Sequence, residues 1–263
     1  MSSGPINGPI SSQPISDAVR EKRERVFLVL AGFFLCAMTM LNILGITRFV
    51  QIGPMALAVG VLPYPITFLC TDLVSELYGR ARANFLVTVG LMLNVFIIAF
   101  MWVGNQLPAS EPQAPWQLIH LAEDIMLPNG DTVSDSIELF SLLYATTSGA
   151  VLASMLAYIA AQYCDVYMFH FWKRLTKGKH LWLRNNGSTL ISQGVDSFMV
   201  IIVTFGAQLL AGAMSAGALL VLMGSNYLFK MCVALADTLP FYAAVRYLQR
   251  YLEFTDEELA AHT

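Results

Sequence analysis

AMSAGALLVLMGSNYLFKMCVALADTLPFYAAV, residues 213–245, contains only two charged side chains, Lys230 and Asp237. At about 1.5 Å per helical residue the run is longer than a hydrocarbon core of about 30 Å. Lys230 therefore sits far from both water interfaces. An ammonium at that depth costs at least about 2.5 kcal/mol unless it faces a partner or a wet cavity, so the run implies a solute or ion pathway. A structural ion pair is the alternative.

The rest of the chain agrees with a membrane-embedded reading. Of 263 residues 56% are hydrophobic and 13% charged, and the mean hydropathy is +0.60. That is too apolar for an ordinary soluble domain. Besides 218–245, apolar runs fall at about 26–46, 53–70, 85–104, 137–163 and 190–213. The expected class is an all-α polytopic protein with six transmembrane helices. All of the 15 Lys and Arg residues except Arg48 and Lys230 fall before the first run, after the second, after the fourth or after the sixth. Lys and Arg enrich cytoplasmic loops, so both termini are expected in the cytoplasm. Residues 1–24 then read as a flexible cytoplasmic tail, 25–250 as the membrane domain and 251–263 as a cytoplasmic tail. The connection 105–136 has no Lys or Arg and reads as extracytoplasmic, with a short interfacial helix at 115–127 carrying Trp116.

Several common chemistries are not indicated. Cys36, Cys70, Cys164 and Cys232 show no CxxC spacing, and the four histidines fall in loops or the tail, so neither a metal site nor a cofactor is expected. No HExxH, GxSxG or P-loop pattern appears, which argues against an enzyme or a self-contained ATPase.

Polar residues inside the apolar runs mark three places. In the second run, Pro63 and Pro65 cannot both occupy an undistorted helix interior, so a kink or break is expected near Tyr64. After it, Asp72 and Glu76 fall at i and i+4, with Glu76 close enough to Arg80 and Arg82 to be solvated at the boundary. In the fifth run Ser188 is expected to cap the helix, putting Gln193 and Asp196 into its early turns. In the sixth, Asn226, Lys230 and Asp237 follow i, i+4, i+11 spacing and share one stripe. Asp196 and Asp237 are expected at similar depth, with Lys230 on one side and Asp72 on the other. Tyr64, Phe68, Tyr227 and Phe229 are candidate stacking partners for a flat solute.

Three segments, LPYPITFLCTDLVSELYGR (62–80), AQYCDVYMFHFWKRLTKGKHLWLRNNGSTLISQGVDS (161–197) and NYLFKMCVALADTLPFY (226–242), resemble the queuosine-precursor transporters, also called the vitamin uptake transporter family. The resemblance implies a six-helix carrier in the bacterial inner membrane. Its cargo would be 7-cyano-7-deazaguanine, 7-aminomethyl-7-deazaguanine or queuine. It carries family positions onto Thr71 and Asp72, Asp165 and Val166, Ser188, Thr189 and Asp196, Lys230, and Leu239 and Pro240. Substrate contacts are thus expected from Asp72, Asp196, Lys230, Gln193, Asn226, Thr71, Tyr64, Phe68 and Tyr227. Coupling or gating is expected from Asp237, Glu76, Asp165, Pro63, Pro65 and Pro240. The expected partners are the deazapurine and the lipid bilayer, with no direct nucleic-acid contact. A homodimer and a 3+3 inverted repeat are left open, and so is a substrate-capturing subunit of an ATP-driven importer with separate partner chains.

Overall fold

The computed structural model describes residues 16–109, 114–127, 130–176, 181–254 and 258. Six α-helices dominate, and five of them are long and apolar enough to cross a membrane. They are α1 (Asp17–Ile43), α3 (Arg80–Gln106), α4 (Leu139–Leu175), α5 (Leu181–Leu210) and α6 (Ala216–Tyr251). Along α3, Met92, Phe96 and Phe100 recur every fourth residue and are all at least 64% exposed, which is the stripe a helix shows to lipid. The chain is a multi-pass membrane protein.

The remaining helix corrects the reading of the second apolar run as one span. Its first part is a β-hairpin, β1 (Phe49–Ile52) paired antiparallel with β2 (Met55–Ala58). Gly53, at φ 58°, supplies the positive φ that the tight Gly53–Pro54 connection needs. A short 3-10 turn leads into α2 (Tyr64–Tyr78), whose 15 residues extend about 22 Å, short of a full crossing. The two prolines do not kink a helix. Pro63 is the N-cap and Pro65 lies in the first turn, where a missing N–H breaks no hydrogen bond, so they start α2 instead. Gly79, at φ 86°, ends α2 and hands the chain directly to α3.

The hairpin is wedged among helices. Gly60 approaches α1 so closely that a Cβ there would sit 2.4 Å from the Gly45 Cα and 2.6 Å from the Leu41 carbonyl oxygen. The Gly60 N–H donates to the Gly45 carbonyl at 3.1 Å. On the other side β2 packs on α6, and the Ala56 N–H donates to Ser225 Oγ at 3.2 Å. Ser225 lies about 14 Å along α6, so this backbone is well inside the helical body. Leu57 is 1% exposed. Non-helical backbone at such depth is tolerated where protein or a cavity covers it.

The 105–136 connection also departs from expectation. Residues 115–127 form no helix. A turn at 115–117 leads to β3 (Leu118–His120), which pairs with β6 (Ser136–Glu138), while β4 (Ile125–Met126) pairs with β5 (Thr132–Val133). The apolar residues that an interfacial helix would spread on lipid are used internally. Ile119, Leu121 and Ile125 pack with Leu127, Ile137 and Ala145. Trp116 stays 70% exposed.

Ser188 does not cap α5, which begins at Leu181. The helix extends because α4 and α5 stay in contact beyond the apolar runs, with Gly187 letting the Trp172 ring approach to 3.1 Å from its would-be Cβ position. α1 also starts early, at Asp17, with Ser16 Oγ accepting from the Val19 N–H, so the basic cluster rides on the helix.

That basic cluster fastens one end of the bundle. The Arg23 guanidinium donates to the Leu252 carbonyl at 3.1 Å and the Glu253 carbonyl at 2.9 Å, pairs with both Glu258 oxygens at 2.9 and 3.0 Å, and stacks 3.9 Å from the Phe254 ring centroid. The Tyr78 hydroxyl donates to the Arg23 carbonyl at 2.8 Å, and Arg82 pairs with Glu24 at 3.1 Å. Leu252 is fully buried among Val74, Leu77 and Tyr78. The start of α1, the α2–α3 elbow and the end of α6 therefore meet at one end, opposite the hairpin.

Candidate functional site

Between hairpin and clasp lies a cavity of about 1250 Å³, lined by α1, α2, α5 and α6 with contributions from the hairpin, α3 and α4. Its volume exceeds the roughly 300–1,000 Å³ usual for a small-molecule site. The long stripe of α6 faces it. Asn226, Lys230 and Asp237 all line the cavity, as their spacing requires.

Lys230 finds its partner on α5. Its ammonium donates to Asp196 Oδ2 in an ion pair whose side chains are 5% and 16% exposed. The ammonium also sits 4.7 Å from the Tyr64 ring centroid, where the ring face adds attraction for a cation. The Tyr64 hydroxyl donates to Gln193 Oε1 at 2.9 Å, and its ring meets Phe68 edge-on at 4.3 Å. Tyr64 can do this because the proline-started helix sets it at the buried end of α2. Four side chains from α2, α5 and α6 thus form one connected network at mid-depth. A buried pair of this kind is expensive to break: removing one partner strands the other charge, typically at about 3–5 kcal/mol.

The depth order differs from the sequence expectation. Asp196 lies level with Lys230, and Asp237 follows about 10 Å farther along α6, toward the clasp. Asp72 reaches the same lower part of the cavity from α2, close enough to Asp237 for the two charges to repel. Thr71 lines the wall with its hydroxyl turned back to the Thr67 and Phe68 carbonyls at 2.9 and 3.0 Å.

Other candidates lie elsewhere. Tyr227 donates to the Leu190 carbonyl at 3.3 Å and fastens α6 to α5 outside the cavity wall. Glu76 is not among the cavity-lining residues. Pro240 lies inside α6 beyond Asp237. The side chains of Asp165, Ser188 and Thr189 are outside the described set. α2 and α5, the counterparts in a 3+3 repeat, touch through Tyr64 and Gln193 but differ in form, one short behind a hairpin and one continuous over 30 residues.

Among the polar wall positions that sequence reasoning missed are Thr204 and Asn42. Thr204, 3% exposed, lies two turns from Asp196 on α5. Asn42 donates to Asn94 Oδ1 at 3.0 Å, joining α1 to α3 beside the cavity. An amide in each of two apolar runs was the available signal, since intramembrane amides seek each other.

Known proteins resemble this chain over most of its length. The family described as "Putative vitamin uptake transporter" matches residues 58–245, which hold the hairpin's end, the network and both lower carboxylates. A relative from Bacillus subtilis (strain 168), named "Probable queuosine precursor transporter", is 29% identical over 204 residues, 76% of this chain and 77% of the relative. No solved structure matches. With more than half of its length covered by the family, the chain belongs to the vitamin uptake transporters.

Proposed function

We propose that this protein imports queuosine precursors, 7-deazaguanines such as the 7-cyano and 7-aminomethyl compounds or queuine, across a bacterial inner membrane. The observation that carries the reading is the Asp196–Lys230 pair, buried in a cavity of small-molecule capacity and backed by Tyr64 and Gln193. The name of the Bacillus relative supports it. A deazaguanine presents two adjacent N–H groups to one carboxylate and a carbonyl to an amide or ammonium. In this reading the guanine edge competes with Lys230 for Asp196, and the freed ammonium turns to the cargo carbonyl. Tyr64 and Phe68 flank the ring. The chain would pass the membrane with both termini in the cytoplasm, 105–136 outside and α2 with its hairpin acting as the sixth pass.

The test is radiolabelled uptake by purified protein in liposomes, with no partner chain, for wild type, Asp196→Asn and Lys230→Met. Each single variant is expected to lose at least about a hundredfold in uptake, since each strands its partner and removes a cargo contact. The Asp196→Asn/Lys230→Met double variant should recover thermal stability but not transport. Wild-type uptake by folded single variants would remove the proposal.

A further inference from the structure

The charges on the cavity wall do not balance. Asp72, Asp196 and Asp237 face it, against the single ammonium of Lys230. Lys230 is already committed to Asp196. Asp72 and Asp237 have no hydrogen bond or ion pair among the described residues, and the nearby cations of the clasp are engaged elsewhere, Arg23 with Glu258, Lys22 with Glu253 and Arg82 with Glu24. Asp72 is exposed and Asp237 half-buried, and two unpaired carboxylates on one wall of a cleft attract positive charge.

A second observation points to a ligand independently. Asn226 is 8% exposed, lines the same cavity one turn from Lys230, and has no hydrogen-bond partner among the described residues. Its amide opens onto the cavity, so its donors and acceptor are available to whatever occupies it. From Asn226 and the Lys230 level to Asp237 the wall changes from uncharged polar to anionic over about 10–16 Å along α6. A matching ligand is flat and hydrogen-bonding at one end and cationic at the other.

We propose that the cavity selects cargo by its charge: Asp72 and Asp237 receive an alkylammonium on the cargo, while Asn226 and the Asp196–Lys230 pair hold its uncharged polar edge. This rests on the cargo class proposed above and sharpens it. Among 7-deazaguanines the aminomethyl compound, which carries the ammonium, is preferred over the neutral cyano compound.

The experiment is calorimetric binding of both compounds, and of the N-acetylated aminomethyl compound, to the purified full-length protein and to Asp72→Asn and Asp237→Asn. Wild type should bind the free amine at least about tenfold more tightly than the other two, a difference of about 1.4 kcal/mol. Each variant should weaken the amine alone and bring the three together. Equal or tighter binding of the cyano compound by wild type overturns charge selection and needs no variant to fold. So does equal weakening of all three, or proton uptake accompanying the cyano compound, which would put the charge on a co-ion. If none of the three binds, the deazaguanine reading itself falls.

Discussion

The two ends of the bundle are fastened by different materials. At the hairpin end the fastening is backbone and apolar surface: Gly60 against Gly45, Ala56 against Ser225, and the Phe49 and Phe205 rings 5.9 Å apart. Where the start of α1 meets the end of α6, the fastening is an arginine clasp on the carbonyls of Leu252 and Glu253. Shape holds one and charge holds the other. Salt screens the exposed Lys22–Glu253 and Arg82–Glu24 pairs beside the clasp and hardly touches close packing, so the ends should respond separately to conditions. A transporter that opens one end at a time has a use for such independence.

The sharpest way to break this comparison is Gly60→Ala. Its Cβ would meet backbone atoms that cannot move aside, and overpacking of this sort costs about 1–3 kcal/mol or more. We expect a clear fall in melting temperature and uptake near background; unimpaired uptake would mean that the hairpin seat is not a close-packed seal. Next is Arg23→Ala, which removes charge-assisted bonds to Glu258 and to two carbonyls, each worth about 1.5–3 kcal/mol before overlap. In the variant, hydrogen exchange should quicken at 248–254 and leave 55–58 unchanged. Exchange rising equally at both ends would refute their independence. The smallest effect is Ser225→Ala, which deprives the Ala56 N–H of its acceptor at about 1 kcal/mol. Faster exchange confined to β2 is the expected trace, and none at all would show that the contact is incidental.

Much of the helical frame was legible because membrane crossing imposes length and apolarity together. The stripe of Asn226, Lys230 and Asp237 was legible because helical periodicity fixes a shared face. Lys230's choice of Asp196 was not. It depends on how α5 is rotated against α6, and three carboxylates fitted the pattern equally well. The hairpin was hidden for another reason. FVQIGPMALA carries the Gly53–Pro54 turn signal, but its apolar content satisfies the length rule for a span, and only the cover supplied by α6 makes strands acceptable there. Likewise 115–127 has the apolar residues of a surface helix, and contact with Ile137 and Ala145 decided otherwise.

The Ala56–Ser225 contact spans 169 residues of sequence, and this bears on how the protein is made. α1 satisfies its own backbone as soon as it leaves the ribosome and enters the bilayer. The β2 edge does not, because its cover, α6, is synthesised long after it. Until α6 arrives, the nascent chain carries an open strand edge at membrane depth, the kind of exposed backbone that chaperones and proteases recognise. Formation of this seat is thus checked by the arrival of α6, and chains truncated before residue 225 should be cleared rather than accumulate.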